Sequence, residues 1–284
     1  MYLSSLLIDV GENPDRPRPG RLWLRNLYHV HQRLCMAFPS ESRKFKDEHF
    51  LQPYEPEDFG EGHAHVERGP DSGFLFRIDP GSCGRAMILV QSAAEPDWDY
   101  AFHNARHLLA APPQVKLLAP SYSKGQRLRF RIRIGLCDKK KTSTGGTDLR
   151  KYSEGKDKYG RRKSQSKRVA LSWDKDQNPQ DVIREWLARK GEKCGFEIDS
   201  GTFRAVQIGW SNGLKRSGDA RNSNARPCEY HMKFRFALLE GRLSVTDETK
   251  FRSALLHGLG SGKAFGFGLL SVAGFCGLPA VGTL

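Results

Sequence analysis

The sequence predicts an α+β fold made of two tandem ferredoxin-like (RRM-like) β-α-β-β-α-β domains, each a four-stranded sheet with two helices on one face. The fold class follows from the order of strand and helix patterns, which occurs twice along the 284 residues. A polar segment within the second occurrence does not belong to this pattern. We therefore expect one domain over residues 1–120 and another over 125–284.

In the first unit, an apolar strand is followed by a helix that Asn26 can cap and that ends before Pro39. Leu27, Val30 and Leu34 recur at helical spacing and are expected in the core. Residues 40–71 are polar and are expected to form a loop. We expect strands at 2–9, 73–79, 86–91 and 115–118, with a second helix at 97–110.

In the second unit, residues 127–134 alternate strictly between arginine and apolar side chains, which predicts a strand with one apolar and one arginine face. Gly191 is a candidate C-cap for a helix at 179–190. Glu240-Gly241 is a turn signal between two strands. The remaining elements are expected as strands at 203–210, 229–239, 243–246 and 267–273, with a helix at 247–257.

The net charge of +14 is concentrated in one part of the chain. Residues 121–170 contain 17 Lys or Arg against four acids, so the rest is almost neutral. Such a block is the footprint expected of a protein that binds a polyanion, although a flexible basic linker has the same composition. Within it, residues 138–166 lack the apolar side chains of a core, and we expect them to be disordered without a ligand.

Cysteine usage and hydropathy indicate a cytoplasmic protein that does not enter a membrane. The six cysteines form no CxxC pair, and the chain is far larger than a disulfide-stapled scaffold, so reduced thiols are expected. The apolar residues 1–8 lack a basic leader and are too short to span a bilayer.

A glycine-rich loop at 258–268 precedes the last strand. Its five glycines allow tight folding and close approach to a ligand, and backbone N–H groups beside Lys263 can hold a phosphate. The loop is neither a Walker A motif nor a dinucleotide fingerprint, because the required spacing is absent and a strand follows it. It favours contact with a nucleic-acid backbone; the alternative is a tight turn with a solvated lysine.

Tyr28 and His31 lie three residues apart on the first helix and share one face. An imidazole can transfer protons near neutral pH, and a phenol can orient a hydroxyl. RNA cleavage needs little more, because the RNA supplies its own 2′-OH nucleophile. A structural or merely exposed histidine is the ordinary alternative, and His29 is a rival for the role.

No metal or cofactor is expected from the sequence. His63-Ala64-His65 falls in a predicted loop, and His103 and His107 lack the glutamate of a zinc-binding HExxH motif. Neither pair is completed by nearby cysteines or a carboxylate cluster.

Taken together, these segments resemble the CRISPR RNA-processing endoribonucleases of type I-E systems, the CasE family of Cascade subunits. The resemblance extends almost from end to end and ends in the glycine-rich loop. The segments that carry it are Met1-Tyr2-Leu3-Ser4, Leu27-Tyr28-His29-Val30-His31-Gln32, Val90-Gln91-Ser92, Glu95-Pro96-Asp97-Trp98, 125–133, Lys167-Arg168-Val169-Ala170-Leu171, Glu240-Gly241-Arg242-Leu243 and 258–272.

The resemblance implies cleavage of CRISPR repeat RNA at the base of a hairpin without a metal, followed by retention of the product with other Cascade subunits. His31 would be the catalytic histidine and Tyr28 its companion. A non-catalytic RNA-binding subunit and a general nucleic-acid-binding protein are the alternatives. The candidate RNA-binding residues are Arg129, Arg131, Arg133, Lys139, Lys140, Lys167, Arg168, Lys215, Arg216, Arg221, Ser261 and Lys263.

Overall fold

The computed structural model describes residues 1–13, 15–38, 73–141, 166–217 and 228–274. Within these ranges the chain forms two antiparallel sheets and a separate two-stranded hairpin, with helices packed on the sheets. The predicted α+β class with two ferredoxin-like units is confirmed. The predicted loop at 40–71 and the pair His63 and His65 lie outside the described residues.

The first sheet has the strand order β2-β3-β1-β4, which is the ferredoxin-like arrangement. Among the described residues, α1 and α2 lie between β1 and β2, and a third helix lies between β3 and β4. The elements are β1 (Tyr2–Asp9), α1 (Pro19–Leu24), α2 (Leu27–Cys35), β2 (Phe74–Pro80), β3 (Arg85–Ser92), α3 (Trp98–Phe102) and β4 (Gln114–Leu117).

The second sheet repeats this order as β11-β5-β10, with β9 and β8 both paired to β10. Its elements are β5 (Arg127–Gly135), α4 (Pro179–Lys193), β8 (Phe196–Ile198), β9 (Arg204–Ser217), β10 (Cys228–Val245), α5 (Glu248–His257) and β11 (Leu270–Gly274). The hairpin of β6 (Cys137–Lys141) and β7 (Ser166–Ala170) extends from the end of β5.

Each unit has its own apolar core between sheet and helices. The first core contains Leu6, Ile8, Val30, Leu34, Phe76, Ile88, Val90 and Phe102. The second contains Phe130, Ile132, Ile134, Ile183, Trp186, Leu187, Phe196 and Phe251. The predicted alternation of β5 is confirmed, because its apolar residues are buried in the second core while its arginines lie on the opposite face.

The turn predicted at Glu240-Gly241 is wrong, because β10 runs through it without a break. Gly241 is required for close packing. A Cβ there would lie 3.1 Å from the Phe130 ring and 3.2 Å from the backbone of Phe203. A glycine can therefore allow close approach inside a strand as readily as it allows a turn.

Gly191 is also not the C-cap of its helix, since α4 continues to Lys193 and Cys194 is the C-cap. A Cβ at Gly191 would lie 2.6 Å from the carbonyl oxygen of Phe196, so this glycine lets β8 pack on the helix. Gly195, with φ at +74°, supplies the left-handed residue that reverses the chain.

The predicted helix at 97–110 is too long, because α3 ends at Phe102 and a short 3₁₀ turn covers Arg106–Leu108. The Arg33 guanidinium from α2 donates to the carbonyl of Ala101 (3.0 Å) and to Asn104 Oδ1 (2.8 Å). This carbonyl would be the acceptor for Ala105 in a continuing α-helix. His103 and His107 consequently do not share an α-helix.

The two ends of the basic insert contradict the expectation of disorder over 138–166. Residues 138–141 and residue 166 lie in paired strands of the β6–β7 hairpin. The Asp138 carboxylate accepts a hydrogen bond from the Trp186 indole at 3.0 Å, which attaches the hairpin to α4. Residues 142–165 lie outside the described residues.

A buried ion pair joins the two sheets. Arg77 and Asp79, adjacent on one face of β2, are each about 4% exposed and make a bidentate contact at 2.9–3.0 Å. Arg77 then donates across the junction to the carbonyl of Arg131 (3.1 Å) and to Ser271 Oγ (2.8 Å). The side chain of Gln91 donates to the carbonyl of Leu255 at 2.7 Å and forms a second bridge.

Asp79→Asn should lower the free energy of unfolding by about 3–5 kcal/mol, because it leaves the buried Arg77 guanidinium without a counter-charge. Urea denaturation measures the change. Asp99→Asn is the matched control, since its pair with Arg106 spans 3.4 Å and both side chains are exposed; it should change stability by less than about 1 kcal/mol. Equal effects of the two variants would contradict the role of the buried pair.

Candidate active site at the junction of the two sheets

Helix α2 presents Tyr28 and His31 together beside its buried face. Asn26 caps the helix as predicted, because its side-chain oxygen accepts a hydrogen bond from the Tyr28 backbone N–H at 3.1 Å. Leu27, Val30 and Leu34 are buried, whereas Tyr28 and His31 are half-buried. The predicted helical face is therefore present, with both candidate side chains accessible at its margin.

Two phenylalanines of β2 hold the His31 imidazole from one side. The ring stacks on Phe74, with centroids 5.5 Å apart at 28°, and lies 6.4 Å from Phe76 at 13°. Cys35, one helical turn later, places Sγ 3.5 Å from His31 Nε2. These three neighbours pack against the imidazole ring. Sequence reasoning missed all of them, and only the i,i+4 spacing of Cys35 could have indicated one.

The glycine-rich loop depends on left-handed backbone conformations. Five of its glycines have φ between +70° and +91°, where other residues are strained: Gly258, Gly260, Gly262, Gly266 and Gly268. Two of them flank a short 3₁₀ turn at Lys263–Phe265. The backbone N–H of Gly268 donates to the carbonyl of Arg133 at 2.7 Å, which joins the loop to β5.

The loop lies against α2. The Lys263–Phe265 turn packs on α2 and on β2, and a shared apolar cluster fills the junction. A Cβ on Gly266 would lie 3.0 Å from the Phe76 ring, which in turn stacks on His31. The junction cluster consists of Leu27, Phe236 and Phe267, with Ile78, Phe234 and Phe265 packed against it.

Lys263 and Ser261 have different surroundings within the loop. Burial lowers the pKa of the half-buried Lys263 ammonium, and the nearby Cys194 thiol opposes this shift. Ser261 Oγ lies 2.7 Å from Cys137 Sγ at the start of β6. Lys263 is therefore a partly desolvated cation beside α2, whereas Ser261 connects the loop to the basic hairpin.

The arginines of β5 face the junction and differ in their contacts. Arg129 is exposed and lines an open groove of about 610 Å³ with Arg204 and Arg242. Arg131 is paired with Glu240 at 2.9 Å and lies 4.0 Å from Asp79. The groove is therefore basic, but Arg131 is already partly neutralised by acids.

The Arg133 guanidinium packs on two aromatic rings of the junction. Its guanidinium carbon lies 4.2 Å from the Phe236 ring centroid and 5.5 Å from that of Phe267. Burial lowers its pKa to about 10, and the Asp79 carboxylate opposes that shift. The arginine face of β5 thus serves the junction as well as the groove.

The other predicted RNA-binding residues lie in strands β6, β7 and β9 or outside the described residues. In the β6–β7 hairpin, Lys139 pairs with Arg168 and Lys140 with Lys167. Lys215 and Arg216 lie near the end of β9, paired with Tyr230 and Glu229. Arg221 is outside the described residues.

Two further features bear on partners. Within the described ranges, no group of three His, Cys, Asp or Glu side chains is arranged to hold a metal ion. In the same part of the chain, no helix combines the length and apolar character needed to cross a membrane.

Two ferredoxin-like units, with an imidazole-bearing helix and a glycine-rich loop at their junction, form the arrangement that the resemblance to RNA-processing endoribonucleases implied. The profile of the family described as "CRISPR associated protein" matches residues 1–274. The CRISPR-associated endoribonuclease Cse3 of Thermus thermophilus is 31% identical over 201 residues, which cover 70% of this chain and 79% of the relative. The chain belongs to this family of CRISPR-associated proteins.

Solved structures agree with this assignment. A structure of CRISPR endoribonuclease Cse3 bound to a 19-nucleotide RNA matches 96% of this chain and 100% of its own, with a TM-score of 0.59 and 26% identity. Thermus thermophilus Cse3 bound to an RNA representing a pre-cleavage complex matches 96% and 98%, with a TM-score of 0.56 and 26% identity.

Gly266→Ala should lower stability and displace the loop from Phe76, because it adds a Cβ at φ +76° and 3.0 Å from the ring. Gly125→Ala is the matched control, since Gly125 has φ +82° but open space around it. Each variant pays the left-handed strain of about 1–2 kcal/mol. Urea denaturation should show a larger loss for Gly266→Ala; an equal loss would mean that the Phe76 contact is easily accommodated.

Proposed function

We propose that this protein is a metal-independent endoribonuclease that cuts CRISPR repeat RNA at the base of a hairpin. The observation that carries the proposal is the contact between the Tyr28/His31 helix and the glycine-rich loop at 258–268. It brings a proton-transfer group and a candidate phosphate cradle to one place. Membership of the CRISPR-associated family supports repeat RNA as the substrate.

In the proposed reaction a 2′-OH of the RNA attacks the neighbouring phosphate of the same strand. The 2′-oxygen forms a bond to the adjacent phosphorus while the bond from phosphorus to the 5′-oxygen breaks. A base takes the proton from the 2′-OH, and an acid gives a proton to the departing 5′-oxygen. The products are a 2′,3′-cyclic phosphate and a 5′-OH, so no outside co-reactant is needed.

His31 is the general acid/base in this scheme, and Tyr28 positions the 2′-OH. Stacking on Phe74 and Phe76 fixes the plane of the imidazole, so little reorganisation accompanies proton transfer. Lys263 and the backbone N–H groups of the loop stabilise the extra negative charge of the phosphorane. Partial burial of Lys263 strengthens its interaction with that charge.

The basic second unit binds the hairpin stem. Support comes from the concentration of positive charge in residues 121–170 and from the groove that Arg129 lines with Arg204 and Arg242. The β6–β7 hairpin extends this charge beyond the sheet with Lys139, Lys140, Lys167 and Arg168. We assign Arg131 a smaller share of RNA contact because Glu240 and Asp79 lie beside it.

We further infer that residues 1–120 and 125–284 are the two domains, with the catalytic helix in the first and the basic insert and glycine-rich loop in the second. The product RNA remains bound, and the protein acts in the cytoplasm as a subunit of the Cascade surveillance complex. Family membership supports this placement. If the wild-type protein binds the hairpin but never cuts it, the protein is a non-catalytic RNA-binding subunit and not an enzyme.

His31→Ala should slow cleavage about 10²–10⁴-fold while hairpin binding is retained, because it removes a proton-transfer group and little contact area. Tyr28→Phe should cost less, since it removes only the hydroxyl. Single-turnover cleavage of the repeat RNA from the protein's own locus, with binding measured in parallel, gives both quantities. His29→Ala is the matched control and should cut at the wild-type rate. Wild-type cleavage by His31→Ala would disprove the mechanism.

Cleavage should proceed at full rate in excess EDTA, because the proposed groups supply both proton transfers. The products should carry a 5′-OH and a 2′,3′-cyclic phosphate or its hydrolysis product. An RNA with a single 2′-deoxy nucleotide at the cut site should bind but resist cleavage, since it lacks the nucleophile. Strict dependence on magnesium would indicate a different active site.

A further inference from the structure

A stack of two tryptophans and an arginine lies at the edge of the second sheet, on the face turned away from the junction. The Arg235 guanidinium carbon is 3.4 Å from the Trp173 ring centroid and 5.6 Å from that of Trp210. Arg235 Nη1 donates to the carbonyl of Leu171 at 2.7 Å, and Lys233 Nζ lies 4.8 Å from the Trp210 centroid. We refer to Trp173, Trp210, Lys233 and Arg235 as the edge stack.

One ring of the edge stack, the Trp210 indole, lies outside the apolar core. Trp210 is 50% exposed, and Ile208, two residues earlier on the same strand face, is 37% exposed. Trp210 is paired with Arg235 in the register of β9 and β10, and β9 is the outer strand beside β10. The indole is therefore supported by neighbouring cations yet accessible to a planar ligand.

The base of the β6–β7 hairpin lies beside this surface. The backbone N–H of Leu136 donates to the carbonyl of Arg235 at 2.8 Å, and that of Leu171 donates to the carbonyl of Leu136 at 3.0 Å, which brings the base of the β6–β7 hairpin beside the stack. The hairpin strands carry Lys139, Lys140, Lys141, Lys167 and Arg168. An exposed aromatic ring among cations suits a nucleic-acid strand, because the ring stacks with a base while the cations meet phosphates.

The edge stack is close to the proposed active site along the chain. Gly213, three residues after Trp210 in β9, lies against Phe265 of the glycine-rich loop, with 3.3 Å between a Cβ on Gly213 and the ring. Three strand residues span about 10 Å. An RNA strand that leaves the junction and crosses the outer edge of β9 therefore reaches Trp210 within a few nucleotides.

We propose that Trp210, backed by Arg235 and Trp173, stacks an unpaired base of the RNA that flanks the hairpin. The proposal rests on the proposed RNA-binding function and extends the footprint beyond the stem. Stacking reads the face of a base and not its edge, so the contact tolerates different flanking sequences. It provides affinity for the single-stranded part of the repeat transcript.

The test compares two forms of the repeat hairpin from the protein's own locus, one a bare stem-loop and the other with unpaired nucleotides on both sides. A 2′-deoxy nucleotide at the cut site prevents cleavage. The measured quantity is the ratio of the two dissociation constants, from fluorescence anisotropy at fixed salt. Stacking of one base makes the flanked RNA bind about 5- to 100-fold more tightly in the wild type.

Trp210→Ala should bring this ratio down by at least about fivefold, and Trp210→Phe should retain part of it because an aromatic face remains. Leu117→Ala is the matched control, since Leu117 is 70% exposed but lies on the other sheet. In the wild type, an abasic nucleotide at one flanking position should reproduce the Trp210→Ala loss and should cause no further loss in that variant. Thermal melting verifies that each variant is folded.

An unchanged ratio in folded Trp210→Ala would overturn the proposal, as would equal loss of affinity for both RNAs. If that variant instead failed to associate with its protein partners while keeping the ratio, the edge stack would be a protein-docking surface. Failure of the wild type to bind either RNA would contradict the proposed function itself, so the two failures are distinguishable.

Discussion

The docking of the two sheets, which places helix α2 beside the glycine-rich loop, depends on the buried pair of Arg77 and Asp79 in β2. Desolvating two charges is costly, and the cost is offset only when their geometry and remaining hydrogen bonds are satisfied. Here those hydrogen bonds go to the Arg131 carbonyl and to Ser271, which belong to the other sheet. The ion pair is thus satisfied only when the two units dock in one orientation.

This orientation determines where helix α2 meets the glycine-rich loop. Strand β2 carries Arg77 on one face and Phe76 on the other, and Phe76 contacts both His31 and Gly266. A small change in docking would therefore move the imidazole and the loop relative to each other. The apolar cluster of Leu27, Phe236 and Phe267 fills the same junction and resists such a change through close packing.

The sequence predicted those features that depend on local physics. Asn26 capped its helix, the arginine strand alternated, and Tyr28 and His31 shared a face, because each depends on periodicity or a neighbouring backbone N–H.

The glycines were harder to interpret. Gly191 and Gly241 serve contacts with residues distant along the chain or in the next strand, and nothing local distinguishes such a glycine from one in a turn or cap. The end of α3 at Phe102 likewise depends on Arg33, which is 69 residues earlier in the sequence. The Phe74 and Phe76 stack on His31 and the ion pair between sheets are tertiary contacts, so patterning alone did not indicate them.

The uninterrupted length of β10 restricts how the family can vary. Side chains alternate along a strand, so adding or removing one residue exchanges its two faces beyond that point. In β10 such a change would turn Phe236 away from the junction and Arg235 towards it. Insertions and deletions are therefore expected to accumulate in the connections between elements, while the 18 residues of β10 keep their number. The number of residues in β10 is therefore more constrained than the identity of most of its side chains.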